Sequence, residues 1–364
     1  MAEIETIADL IPPGHRTTHL HWGGGSPDIL SAEDIRDLGA LLHRKFHIDP
    51  NAEFAIEIDP RLMTDEKAES LVGIGINRLS IGVQDFDPRV QEAIGRLQSY
   101  DVSRDAIELF RKRGVQSINI DLVYGLPHQS PETLKRTIEK VVELKPDRIA
   151  MFGYAHLPQR VSNQKLIDES ALPGPMLRWT MARQVTRQLL DAGYVQLGID
   201  HFARCDDSLA TGHVSRNFQG YTTDTSDALI GFGASAIGRL PQGFVQNATA
   251  ASDYATRIAS CGLATARGWA LTEDDSIRAY IIERLMCDFE LSRGALLAKF
   301  GAIPQGIEQD IAAIISGDTD GFLQPSTDGF TLTPTGRLFV RNICARFDAH
   351  LAAGSSGARH SMSV

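Results

Sequence analysis

The chain is 364 residues long, 43% hydrophobic and 23% charged, with a formal net charge of −10 at pH 7. That composition suits a globular protein with room for one large α/β domain and a smaller one, and its acidic balance argues against a general nucleic-acid binder while allowing a local basic pocket. No apolar run approaches the roughly 18 residues of a membrane span, and the opening MAEIETIADL carries acids where a secretory leader carries basic residues, so the cytoplasm is the expected compartment.

In chain order, short β-leaning runs alternate with longer helical ones. THLHW (18–22) precedes SAEDIRDLGALLHRKF, a helix with Ser31 as N-cap and acids in its first turn. FAIEID (54–59) precedes TDEKAESLVGIG, capped by Thr64. RLSIGV (78–83) leads to the helix SRDAIELFRKRG, which ends at Gly114. SINIDLVY (117–124) leads to SPETLKRTIEKVVEL, with Pro131 at the first helical position. RIAMFGY (148–154) leads to a long helix near 175–192 and then to YVQLGID (194–200), a further strand. The repeated βα unit predicts a parallel sheet, either barrel-like or doubly wound. From about residue 250 the character changes. TEDDSIRAYIIERLMCDFEL reads as an amphipathic helix capped by Thr272, and GFLQPSTDGFTLTPTGRLFVRNICARF reads as a small β-wing followed by a helix. The shape is winged-helix-like, but its few basic residues sit among acids, which argues against DNA.

Polar residues cluster at the C-terminal ends of the strands: Gly23 to Ser26, Glu57 and Asp59, Gln84 and Asp85, Asp121, His156, Asp200 and His201. In a (β/α) barrel that end is the active face, although any single acid there could be structural. The glycines of HWGGGSPD lack the Gly-Lys-Ser/Thr ending of a P-loop and the spacing of a dinucleotide fingerprint. They serve either a backbone that a ligand approaches closely or a simple turn. Cys205, Cys261, Cys287 and Cys344 are far apart in sequence, with no C-x-x-C pair, and read as small buried hydrophobes rather than metal ligands.

HWGGGSP, EIDP, RLSIGVQDF, GRLQ, NIDLVYGLP, YAHLP, DHFAR, RNFQGYTT and RNICARFD occur in this order. Together they resemble the oxygen-independent coproporphyrinogen III oxidases (coproporphyrinogen dehydrogenases) of the radical S-adenosylmethionine (SAM) superfamily, over essentially the whole chain. The heme-chaperone-like branch of the same group carries a Ser-x-His-Asn-type segment where this chain reads RNFQGYTT. The resemblance implies an α/β fold, an incomplete (β/α)6-type radical SAM barrel over residues 1–245, with a smaller, mainly helical domain with a β-wing over 246–364 covering the barrel mouth.

The resemblance also implies oxidative decarboxylation of two propionates of coproporphyrinogen III to vinyls, giving protoporphyrinogen IX in heme biosynthesis. Gly24, Gly25 and Ser26 would line the SAM sites through backbone, and Glu57 would hold one SAM. Gln84, Arg96 and Asp121 would hold a second SAM, with Ala155 and Ile237 adding main-chain and apolar contacts. Arg341 and Arg346 could pair with substrate propionates or be plain surface charges. An electron donor is implied, as is a monomeric complete protein.

Family members carry a C-x-x-x-C-x-x-C loop that binds a [4Fe–4S] cluster upstream of the glycine motif, and these 364 residues contain no such loop. The expectation is a truncated or misassigned start, with no metal ligands in this segment and no activity from it alone. The unpaired edge of THLHW would then favour self-association. The alternatives are a heme-binding, chaperone-like relative and a catalytically dead SAM-binding protein.

Overall fold

The computed structural model describes residues 1–352. The chain opens with α1 (Ala2–Leu10), β1 (Thr17–Trp22), α2 (Ala32–Lys45), β2 (Ile48–Ile58), α3 (Asp65–Gly73) and β3 (Arg78–Gln84). Next come α4 (Pro88–Ala93), α5 (Tyr100–Arg111), β4 (Ser117–Tyr124), α6 (Pro131–Glu143), β5 (Arg148–Gly153), α7 (Pro175–Asp191), β6 (Tyr194–Leu197) and β7 (His201–Arg204). Short elements follow: α8 (Ser208–Thr211), β8 (Ser215–Asn217), β9 (Gly220–Thr222), β10 (Ile237–Leu240), β11 (Gly243–Asn247), α9 (Ala251–Cys261) and β12 (Thr265–Ala270). The last stretch holds α10 (Glu273–Asp288), β13 (Glu290–Ser292), α11 (Arg293–Phe300), α12 (Gln305–Ser316), β14 (Leu323–Pro325), β15 (Gly329–Leu332), α13 (Val340–Cys344) and α14 (Ala349–Ala352).

The largest sheet has seven strands in the order β1-β2-β3-β4-β5-β7-β6. The pairs β1–β2, β2–β3 and β3–β4 are parallel, as the βα alternation predicts. β1 stands at one end of this order. The described residues divide into two compact units, one of Met1–Leu122, Arg136–Ala150 and Asp224–Ala270, the other of Val123–Lys135, Met151–Thr223 and residues 271–352.

In the first unit the helices bury one apolar stripe each against the strands. Ile35, Leu41 and Leu42 of α2, Leu71 of α3 and Phe110 of α5 are buried, as are Ile56, Leu79, Ile81, Ile118 and Ile120 of the strands. Ser31 caps α2 by accepting from the Asp34 amide, and Thr64 caps α3 by accepting from the Lys67 amide. α5 starts earlier than the sequence suggests, at Tyr100. Ser99 is its N-cap, so Ser103 is a buried residue inside the helix and not the helix start. The antiparallel sheet β10-β11-β12 belongs to the same unit. Glu3 of α1 is buried there, accepting from Gly233 N at 2.7 Å, Asn247 Nδ2 at 2.6 Å and Tyr254 Oη at 2.7 Å.

In the second unit the expected single strand YVQLGID is a reversal. β6 and β7 pair antiparallel, with Leu197 opposite His201. The turn forms because Gly198 takes φ +52°, and its missing side chain leaves room for the Tyr221 hydroxyl, 2.0 Å from where a Cβ would sit. The wing is as expected: β13, β15 and β14 form an antiparallel sheet beside α10, α11 and α12. One core holds Ile277, Ile281, Leu285, Ile307, Ile311, Phe330 and Phe347. α10 carries a full capping box between Thr272 and Asp275.

Candidate active site

Register in the first unit builds the site. In parallel strands, residues directly opposite one another point to the same face. Glu57 lies opposite Ser80, and Ser80 opposite Asn119, so three polar side chains cross β2, β3 and β4 in a row. Asp121 is two residues beyond Asn119, on the same face, opposite Gly82. Asn119 Nδ2 donates to Ser80 Oγ and to Asp121 Oδ1, each at 2.8 Å, and Ser80 Oγ donates to Asp121 Oδ2 at 3.0 Å. Two neutral side chains, Ser80 and Asn119, are thus among the groups that hold the Asp121 carboxylate.

Glu57 is gripped from β1 and the glycine loop. His21 Nε2 lies 3.2 Å from its Oε1, and the Gly24 amide donates to its Oε2 at 3.2 Å. Gly24 has φ +79°, a conformation glycine adopts freely, and Gly23 to Ser26 are all exposed. Gly23 has no room for a side chain: a Cβ there would lie 2.5 Å from His21 Nε2 and 2.7 Å from Glu57 Oε1. The three glycines thus give an open backbone beside a positioned carboxylate.

At the end of β3 the pairing with β4 skips a residue, a bulge that leaves Gln84 at φ +68°. Arg96 Nη2 donates to the Gly82 carbonyl at 2.8 Å, its Nη1 lies 3.7 Å from Asp59 Oδ2, and its buried Nε has no partner among the described residues. Burial pulls the Arg96 guanidinium down from its ordinary range, and Asp59 opposes this. Asp59 is held bidentately by Arg61, at 2.9 Å from Nε and 2.6 Å from Nη2, which keeps its carboxyl below the usual carboxylate range. Behind it, Asp28 is wholly buried, accepts from the Asp59 amide at 2.9 Å, and is pushed up by its burial. Ile237, on β10 opposite Gln246, is half-buried in the same unit.

Ala155 belongs to the second unit, where its carbonyl accepts from Gln164 Nε2 at 2.9 Å. Arg341 Nη2 donates to Asp200 Oδ2 at 3.3 Å, and Asp200 also accepts from His201 Nδ1, 2.8 Å away. Arg346 is exposed. Of the residues singled out in the sequence, Gly24, Glu57, Gln84, Arg96 and Asp121 are fixed at strand ends of the first unit. Gly25 and Ser26 are exposed beside them in sequence and make no side-chain cap. The residues the sequence did not single out are His21, Ser80 and Asn119. The alternation of β3 and β4 carried the signal for the last two, since Ser80 precedes Gly82, and Asn119 precedes Asp121, by one full period.

The donor set fits SAM. It offers carboxylates for an ammonium or ribose hydroxyls, an unused arginine donor for a carboxylate, and open glycine backbone. It does not fit an iron–sulfur cluster: among the described residues no three His, Cys, Asp or Glu side chains converge as metal ligands. Cys287 and Cys344 are buried as expected, and burial pushes each thiol up to about 12. Cys205 and Cys261 are exposed, which corrects the expectation of four buried thiols. Cys205 follows the end of edge hairpin β6–β7, and Cys261 ends α9, where the chain turns to solvent. No helix among the described residues is long and apolar enough to cross a membrane.

A profile of the Radical SAM superfamily matches residues 1–141. The chain is 43% identical over 357 residues to the oxygen-independent coproporphyrinogen III oxidase of Bradyrhizobium diazoefficiens, covering 97% of this chain and 79% of that one. It is 39% identical over 354 residues to the enzyme of the same name from Salmonella typhimurium, covering 96% and 77%. The solved structure of coproporphyrinogen III oxidase (HemN) from Escherichia coli, a radical SAM enzyme, superimposes with a TM-score of 0.92 at 38% identity, covering 96% of this chain and 82% of that one. With the strand-end carboxylates and the glycine loop in place, these likenesses show that the chain belongs to the oxygen-independent coproporphyrinogen III oxidases, heme-biosynthetic oxidoreductases of the radical SAM superfamily.

Proposed function

We propose that this chain supplies the SAM- and substrate-binding part of an oxidase that converts two propionates of coproporphyrinogen III into vinyls, yielding protoporphyrinogen IX. The observation that carries the reading is the polar row Glu57–Ser80–Asn119, with Asp121 one period beyond it at the C-terminal strand ends. When bound and supplied with an electron from outside this chain, SAM would provide the hydrogen-abstracting chemistry directed at a propionate side chain.

Glu57, steadied by His21 and the Gly24 amide, accepts from the ribose or ammonium of one SAM, while Gly25 and Ser26 offer backbone. Gln84, Arg96 and Asp121 hold a second SAM: the Arg96 Nε donates to its carboxylate and Asp121 receives its ammonium. Ile237, in the same unit, lends an apolar contact. No step is assigned to a cluster on these residues, since none of them forms its ligand set. A reductant for the complete enzyme, a monomeric state and a cytoplasmic location complete the reading.

Equilibrium dialysis of residues 1–364 against labelled SAM tests it. The chain binds two equivalents, Arg96→Ala and Asp121→Ala each leave one tight site, and Glu57→Ala weakens the other by about tenfold to hundredfold, as expected for a lost charged hydrogen bond. Folded variants that bind SAM like the parent chain would remove the assigned roles.

A further inference from the structure

In the second unit, one arginine is placed for a ligand that the chain itself does not provide. Arg178 lies in the first turns of α7, half-buried. No carboxylate or carbonyl among the described residues meets its guanidinium, and its buried Nε has no partner. This separates it from Arg284, which also has a buried lone Nε but bonds Asp288 and the Val214 carbonyl through its other nitrogens. Burying a guanidinium donor such as this Nε without an acceptor is costly, and helix packing does not require it, since a leucine would fill the same space.

The surroundings shape the place. Gly125, just past the end of β4, and Gly153, at the end of β5, border the guanidinium. A Cβ at Gly125 would lie 3.3 Å from Arg178 Cζ and Nε, and one at Gly153 would lie 3.5 Å from its Nη2 and 2.9 Å from the Tyr124 hydroxyl. Gly125 has φ +86°, and its loop is locked by Gln129, whose Oε1 accepts from the Gly125 amide at 2.6 Å. Beside Gly153, Phe152 is 38% exposed, which leaves an aromatic ring at the strand end. Burial pushes the Tyr124 phenol up while Arg178 and Arg341 both pull it back, so two guanidiniums bear on the same ring. Arg341 differs in being paired already, with Asp200.

We propose that Arg178 is a substrate-binding residue that takes a propionate carboxylate of the tetrapyrrole, with Phe152 offering a flat apolar surface beside it. The inference rests on the coproporphyrinogen reading above. A planar fork of donors matches a carboxylate bidentately, and an unpaired fork at the C-terminal ends of parallel strands is where a ligand enters such a sheet. A carboxylate could also come from the methionine end of SAM. The proposal commits to the substrate, and the test separates the two.

The experiment measures fluorescence binding of coproporphyrin III, the stable oxidised analogue with four carboxylates, and of its tetramethyl ester in mild detergent, to residues 1–364 and to Arg178→Gln. SAM affinity is measured in parallel by calorimetry. Arg178→Gln weakens coproporphyrin III by about tenfold to hundredfold, leaves the ester unchanged and leaves SAM unchanged. Arg178→Lys keeps the charge, loses the fork and gives a smaller loss. It carries the same comparison if the glutamine variant does not fold. Equal binding of coproporphyrin III by parent and variants overturns the assignment while the family reading stands. Equal weakening of acid and ester, or loss of SAM binding alone, also overturns it. Failure of the parent chain to bind coproporphyrin III at all overturns both the assignment and the substrate reading.

Discussion

The acids at the strand ends of the first unit and the arginine at the strand ends of the second are opposite cases. Glu57 shares its carboxylate with an imidazole and an amide, Asp121 with a hydroxyl and an amide side chain, and Asp59 with two guanidiniums. Each is satisfied before any ligand arrives. Arg178 has no acceptor among the described residues. The difference is one of electrostatics. A carboxylate in neutral or hydrogen-bonding company remains an acceptor and can share its oxygens with a ligand, whereas an unpaired guanidinium gains most when an anion comes to it. Position at the strand ends is therefore not enough to assign a role: a satisfied carboxylate keeps its place and can still share an oxygen with a ligand, whereas an unpaired guanidinium is completed only by one.

The sharpest way to break that distinction is an acid whose partners are all internal and lie outside the parallel strands. Glu3 is one, with three donors and no exposure to speak of. Glu3→Ala leaves the Asn247 and Tyr254 side chains and the Gly233 amide short of an acceptor, and should cost about 3 kcal/mol at roughly 1 kcal/mol per bond. SAM affinity of the folded fraction should be unchanged. Urea unfolding with parallel dialysis checks both; a large loss of SAM affinity with stability intact would place Glu3 in the site.

A smaller, signed effect separates the stacked pair Asp28 and Asp59. The Asp59 carboxyl is held down, chiefly by Arg61, so its ionised form stabilises the fold above the unfolded carboxylate value, near about pH 4, and that contribution is lost as pH falls through the lower folded value. Asp28 is held up, chiefly by burial, so its ionisation penalises the fold as pH rises above about 4. Asp59→Asn should lose about 1.5 kcal/mol at pH 7, a loss that shrinks steadily as pH falls below about 4. Asp28→Asn should gain less than about 1 kcal/mol at pH 7, a gain that vanishes at low pH. Denaturant midpoints at pH 7 and at low pH read the signs, and a shared sign would mean the two carboxylates titrate as one group.

The smallest effect concerns the thiols. A disulfide reagent added to the native chain should modify Cys205 and Cys261 quickly and leave Cys287 and Cys344 untouched until the fold is opened. Four fast thiols would contradict the burial of the last two.

Much of this was legible in the sequence because its signals are local. Ser31, Thr64 and Thr272 announced three helix starts through cap chemistry, and β3 and β4 announced themselves by alternation. The carboxylates at 57 and 121 stood out because strand ends are countable. What escaped depends on pairings that the one-dimensional pattern does not encode. The His21–Glu57 contact joins residues 36 apart and needs the β1–β2 register. The left-handed Gln84 follows from a bulge, and a run such as RLSIGVQ gives no warning of one. The reversal at Gly198 hid inside an apolar stretch that reads as one strand, because the turn is made by room for Tyr221 rather than by a turn dipeptide. Arg178 is one of three arginines in the run that forms α7, with Arg183 and Arg187, and only its missing partner sets it apart.

The anchoring of Glu3 has a consequence for how the protein is made. Its three donors lie 230, 244 and 251 residues further along the chain. At a typical synthesis rate of about 5 to 20 residues per second, a ribosome needs on the order of 12 to 50 seconds to deliver them. For that interval α1 emerges with an acid meant for the interior and nothing yet to receive it. Strands β1 to β4 can pair as they appear, but α1 settles only after Tyr254 has been translated. α1 is thus among the last parts of its unit to become native, and a nascent chain stalled before that point would display this helix unanchored to chaperones and proteases.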